Sequence, residues 1–206
     1  MASITENKAK ETGRIEAFSD GIFAFAITLL VLYLKAPDPS EGDLLLALVA
    51  QWPAFFAFVT SFMTILIMWV GHHEMFTYIV RADRRFMFLN GFLLFFITLT
   101  PFTTSLVAGH IASPDSRAAV AVYSGSFLLL GVVWNLLWRY ASGPHKLVSQ
   151  KMTPAEVKTF TRNFYVGPVC YTVALLLALV NGIASLALIL AVALFFAVGT
   201  KSPSRS

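Results

Sequence analysis

Long uncharged apolar runs, separated by short clusters of basic and turn-forming residues, set the pattern of the chain. Positions 17–34 contain a single charge, Asp20, while 44–71, 86–109 and 118–138 contain none. Each run is long enough to cross ~30 Å of hydrocarbon as a helix. The last run, 163–200, holds 38 residues without a charge, nearly twice what one crossing needs at ~1.5 Å per residue. It must fold back, and Asn181-Gly182 is the turn signal that divides it. The pattern therefore predicts an all-α membrane protein with six transmembrane helices at about 15–34, 44–71, 86–109, 116–139, 160–180 and 183–200. Short tails, 1–13 and 201–206, flank this single domain of 14–200.

The connections carry helix-start chemistry. Ser40 to Asp43 has capping-box spacing ahead of the second span. Ser113-Pro114 precedes the fourth, and Thr153-Pro154-Ala155-Glu156 precedes the fifth. The fifth helix is expected to start in water and to meet Gly167-Pro168 as it enters the membrane, a site for a bend.

Composition agrees with this reading. Of 206 residues, 57% are apolar, 14% aromatic and only 26 charged, and the mean hydropathy is +0.73. That leaves too little polar surface to cover a water-soluble domain, where about 25% of residues are charged. The net charge of +4 needs no nucleic-acid partner, because basic residues of membrane proteins collect in cytoplasmic loops. With a cytoplasmic amino terminus, thirteen lie on that side: Lys8, Lys10, Arg14, Arg81, Arg84, Arg85, Arg139, Lys146, Lys151, Lys158, Arg162, Lys201 and Arg205. Lys35 and Arg117 lie opposite. Both termini are thus expected in the cytoplasm, with the first span retained rather than cleaved as a signal peptide. Arg81 to Arg85 reads first as a topology determinant and second as an attractor of anionic lipid. Cys170 is the only cysteine, so no disulfide closes within the chain.

The spans lack most intramembrane chemistry. Their middles hold no Asp, Glu, Lys, Arg or His, and His72, His73, His110 and His145 are expected at helix ends or in loops. This weighs against a proton relay, a voltage sensor and intramembrane catalysis, so no enzyme is expected. His72-His73-Glu74 is a poor metal site, since adjacent helical positions diverge by about 100°, and no metal or cofactor is expected. There is no Thr-Val-Gly-Tyr-Gly filter.

The first span is the least ordinary. Ala17, Gly21, Ala24 and Thr28 form a stripe of small residues where another helix can come close. About 100° away run Phe18, Ile22, Phe25, Leu29 and Leu32, spaced 4, 3, 4 and 3. Periodicity alone is also satisfied if both stripes pack against other spans or lipid. Asp20 lies in the first turns within the span, and a buried charge persists only when partnered. The end of the second span (Trp69, His72, His73) and the start of the third (Asn90) reach the same height, so Arg14, Ser19, Asp20, His73 and Asn90 are expected to form one interhelical polar cluster.

The pattern Arg14-x-x-x-Phe18-Ser19-Asp20, followed by Gly21 and the apolar run to Leu32, resembles the first-helix signature of the prokaryotic relatives of the lysosomal transmembrane potassium channel. Trp69-Val-Gly-His72-His73 and Asn90-Gly-Phe-Leu-Leu running to Pro101-Phe102 are supporting similarities. The resemblance implies a homotetramer of six-helix subunits in a prokaryotic plasma membrane, with potassium as the permeant ion and one first helix from each subunit lining a central pore. It implies a constriction of apolar rings at Phe25, Leu29 and Leu32 with Thr28 beside them, and a structural role for Arg14, Phe18, Ser19 and Asp20. Such a ring controls flow by excluding water, so selectivity for potassium over sodium is expected to be modest. Relatives usually carry an aliphatic residue where this chain has Phe25. The rival function is a secondary transporter of cations or small solutes.

Overall fold

The computed structural model of the protein describes residues 2–38, 42–145 and 147–199. Ser40, Lys146 and the tail 201–206, on which part of the sequence reading rests, lie outside the described residues. Among the described residues seven α-helices follow in order: α1 (Ala2–Leu29), α2 (Leu44–Ala50), α3 (Trp52–Tyr78), α4 (Arg84–His110), α5 (Ser116–Ser142), α6 (Pro154–Ala178) and α7 (Gly182–Gly199). A 3-10 turn, Leu30–Tyr33, extends α1.

The uncharged run expected as one span at 44–71 is two helices. Asp43 caps α2, its carboxylate accepting from the amides of Leu45 and Leu46 at 2.8 and 3.3 Å, after a turn in which Gly42 has a φ of 89°. The chain then breaks at Gln51 and restarts with Pro53 in the first turn of α3, where a missing N–H costs nothing. At its other end α3 runs past Gly71 to Tyr78, carrying His72 and His73 inside the helix rather than at its end. The absence of charge ends the run too early, because polar side chains that find partners stay helical.

Other starts divide similarly. Thr153 and Glu156 make the reciprocal capping box expected for α6. Asn181 caps α7, its Oδ1 accepting from the Ala184 amide at 3.0 Å. Ser113-Pro114 does not cap α5. Ser113 instead closes a turn by donating to the His110 carbonyl at 2.9 Å, and the helix begins two residues after Pro114. Helix α6 continues through Pro168, whose ring faces Gly131 of α5 so closely that a Cβ there would sit 3.2 Å from it.

Helix α5 is buried at Val120, Tyr123, Phe127, Leu130, Trp134, Leu137, Trp138 and Ala141, a 3.6-residue repeat along its whole length. It packs between α4 and α6, with α3 and α7 closing the bundle and α1 lying against α3 and α4. Hydroxyls tie this interior. Ser61 of α3 meets Thr104 of α4 at 2.7 Å and Tyr123 of α5 at 2.9 Å, and Ser185 of α7 donates to the Ala174 carbonyl of α6 at 2.7 Å. Such bonds are the glue of helices in an apolar medium, where hydrocarbon supplies no drive for apolar faces to meet.

The two loops at one end are clasped. The Ser149 amide donates to the Tyr78 carbonyl at 2.8 Å, and the Val80 amide to the Leu147 carbonyl at 3.0 Å, around an antiparallel bridge between Ile79 and Val148. The Tyr140 hydroxyl adds a bond to the carboxylate of Asp83 at 2.7 Å. Among the described residues, four segments are long and apolar enough to cross a bilayer: Glu11–Tyr33, Trp52–Tyr78, Arg84–His110 and Ser116–Ser142. Gly182–Val198 is apolar but shorter.

Candidate functional site

Helix α1 presents two unlike faces. Ser19, Phe23, Ala26 and Leu30, spaced 4, 3 and 4, are buried against the chain's own helices. Opposite them, Phe18, Phe25 and Leu32 are 65%, 61% and 67% exposed, and Thr28 is exposed beside them. Ile22 and Leu29, from the same bulky stripe, are half-buried, so the stripe lies along one edge of the open face. The small stripe, Ala17, Gly21, Ala24 and Thr28, occupies the middle of that face and is exposed along its length. A Cβ on Gly21 would meet no atom within 4 Å.

The 3-10 turn matters to this geometry. At three residues per turn, positions i and i+3 eclipse, so Leu32 comes to lie over Leu29 about 6 Å further along the axis. The Thr28 hydroxyl donates to the Phe25 carbonyl at 2.9 Å, leaving only oxygen lone pairs free on the open face.

Polar bonds fix how α1 is turned. The Asn90 Nδ2 of α4 donates to Ser19 Oγ at 2.9 Å, and Ser19 donates to the Ile15 carbonyl at 2.9 Å. Asn90 Oδ1 is thereby the acceptor for His72 Nε2 of α3 at 3.0 Å. His72 sits against Phe76 and Phe23, with ring centroids 4.4 and 5.4 Å away. A directional chain thus crosses from α3 through α4 to α1 inside the fold.

A second set lies nearer the surface. Trp69 Nε1 donates to Asp20 Oδ1 at 2.9 Å, and His73 Nδ1 meets Glu16 Oε1 at 2.8 Å. Glu16 and Asp20 are four apart on α1, as are Trp69 and His73 on α3, so the pairs form two rungs between antiparallel helices.

The expected five-residue cluster is therefore divided. Ser19 and Asn90 meet, and Asp20 and His73 lie one rung apart with different partners. Arg14 is exposed and has no hydrogen-bond or ion-pair partner among the described residues. Trp69 and His72, available at that height, join as members, and Glu16 is the one the sequence reading leaves out. Its signal is the matched four-residue spacing on two helices. His72 and His73 point to separate partners, α4 and α1, so they do not converge on one ion.

Residues 14–101, which carry α1 from Arg14 onward, both anchor sets and most of α4, match the family described as "Endosomal/lysosomal potassium channel TMEM175". A potassium channel of Chamaesiphon minutus is 42% identical over 93% of this chain and 96% of its own length. The chain belongs to the TMEM175 family. A potassium channel of Streptomyces collinus is 38% identical over 86% of this chain and 87% of its own. The crystal structure of the Chamaesiphon minutus TMEM175 homologue, described as a lysosomal potassium-selective channel homologue, superposes with a TM-score of 0.85. It does so at 40% identity over 94% of this chain and 100% of that one. The TMEM175 fold is thus that of this chain. It is a multi-pass membrane protein of a channel family rather than an enzyme.

Proposed function

We propose that this chain is one subunit of a homotetrameric, potassium-permeable channel in a prokaryotic plasma membrane. The observation that carries the proposal is the open apolar face of α1, with Phe25 and Leu32 exposed while the opposite face is bonded into the subunit. A bulky stripe left uncovered beside a small-residue stripe suits a four-fold centre. The small residues let the next subunit approach, and the bulky ones meet at the axis. The printed descriptions of the two bacterial relatives as potassium channels support the choice of ion.

On this reading Phe25, Leu29 and Leu32 form stacked apolar rings, with the Thr28 oxygen the polar atom among them. An ion passing such rings sheds water without replacement ligands, which penalises sodium more than the weakly hydrated potassium and gives modest selectivity. Phenyl groups at Phe25 also offer their π faces to a cation. Ser19 and Asp20, through Asn90, His72 and Trp69, set the rotation of α1 and touch no ion. Six spans and cytoplasmic termini complete the reading. Helices α6 and α7 supply the last two crossings around Asn181-Gly182, and the basic residues mark the cytoplasmic side.

Purified protein in a planar bilayer under a potassium gradient tests this. Unitary current steps reversing near the potassium potential support it. Slow saturable flux would indicate a carrier, and no flux a non-conducting assembly protein.

A further inference from the structure

An apolar groove of about 710 Å³ runs along the outer face of α4, lined by Arg84, Met87, Phe88, Gly91, Phe92 and Phe95. Its walls are phenyl rings held in place. Phe92 and Phe95 stack with centroids 6.1 Å apart, and both pack edge-on against the buried Phe96 at 5.6 and 5.4 Å. Its floor is Gly91, where a Cβ would meet no atom within 4 Å. At its mouth the Arg84 guanidinium lies over the Phe88 ring, 5.7 Å from the centroid, which holds the charge at the rim.

Arg84 is the charged residue of the groove itself, while Glu11 and Arg14 line the adjoining pocket that shares Met87 and Gly91. Arg81, Arg84 and Arg85 are exposed and have no ion-pair partner among the described residues. The neighbouring carboxylate, Asp83, is engaged by the Phe86 amide at 2.8 Å and the Tyr140 hydroxyl at 2.7 Å. From Arg84 to Phe95 the helix advances about 16 Å, close to half of the ~30 Å hydrocarbon thickness.

We propose that this groove binds one anionic phospholipid, its phosphate on Arg84 and an acyl chain laid over Gly91 between Phe88, Phe92 and Phe95. A guanidinium gives a phosphate paired donors, and in a zwitterionic headgroup the choline ammonium offsets that attraction and is itself repelled by the arginines. The apolar slot is one leaflet deep, which fits a lipid tail entering from the arginine side. A second copy of this chain would instead have to bring carboxylates to three arginines. None of the groove's lining residues is assigned to the constriction, so the lipid site can be tested apart from conduction.

Native mass spectrometry of the detergent-purified protein with phosphatidylglycerol or phosphatidylcholine tests it. The wild-type protein should retain phosphatidylglycerol preferentially. Arg84→Gln should lower that retention about fivefold, the effect of one basic residue near an anionic headgroup. Gly91→Leu, whose Cβ meets no atom within 4 Å, should fill the slot and remove lipid of both kinds from the site. Arg117→Gln, in the α4–α5 connection's neighbourhood on α5, should change nothing. Equal retention by the wild type, Arg84→Gln and Gly91→Leu would overturn the proposal. So would a Gly91→Leu protein that keeps its phosphatidylglycerol but loses its oligomeric mass, since the groove would then be an interface between copies.

Discussion

Asn90 on α4 donates to Ser19 on α1 at 2.9 Å, and this bond turns the exposed stripe of α1 away from its own subunit. Both groups are buried, so neither can exchange its partner for water. Replacing Ser19 by Ala strands the Asn90 amide, and replacing Asn90 by Leu strands the His72 Nε2. Each change should cost about 1–3 kcal/mol. The double variant should cost less than the sum, because it removes both members of one bond. Thermal unfolding in detergent, followed for the four proteins together, checks this.

Asp20 is predicted to matter through Trp69. Asp20→Ala should destabilise the protein by about 1 kcal/mol, and Asp20→Asn, which keeps an acceptor for the indole, should lose less. Because the indole is the donor, the emission of Trp69 should shift in Asp20→Ala and stay close to wild type in Asp20→Asn. Fluorescence of a protein in which Trp52, Trp134 and Trp138 are replaced by Phe isolates that signal.

In the proposed tetramer, Phe25→Ala leaves four fewer phenyl groups in the path of an ion. Each ~1.4 kcal/mol removed from the barrier raises the rate about tenfold, and the current should rise by at least about that factor. The sodium-to-potassium permeability ratio should move toward one. Leu29→Ala and Leu32→Ala should act in the same direction. Single-channel currents in mixed gradients measure both quantities.

The loop clasp should weaken in acid. Desolvation is the largest influence on the Asp83 carboxyl and acts upward, but it is outweighed by hydrogen bonds from the Phe86 amide and the Tyr140 hydroxyl, with His145 nearby. The net shift is downward. A carboxyl whose folded pKa is lowered contributes stability above its unfolded value, about 3.9, and loses it as pH falls through the folded value. Unfolding midpoints of the wild type should therefore fall below about pH 4 more steeply than those of Asp83→Asn, which has no charge to lose.

Much of the molecule was legible because membrane crossing imposes length and apolarity. The Asn181-Gly182 turn and the Thr153–Glu156 capping box could be read from local chemistry. The break at Gln51 was not, because Pro53 inside an uncharged run leaves the hydropathy unchanged while ending the helix. The exposed Phe18, Phe25 and Leu32 could be picked from spacing, yet spacing alone left open whether they met protein, lipid or an axis. Partner choice was the least legible part. Arg14 was expected among the buried polar groups because of its charge, whereas Glu16 and Trp69 hold the rungs because of their height and face on two antiparallel helices.

An electron cryo-microscopy map of the protein in lipid nanodiscs tests the central claim most directly. The account predicts four copies with α1 nearest the symmetry axis and the side chains of Phe25 and Leu32 pointing at it. A map with another helix on the axis, or with Phe25 against lipid, would contradict it.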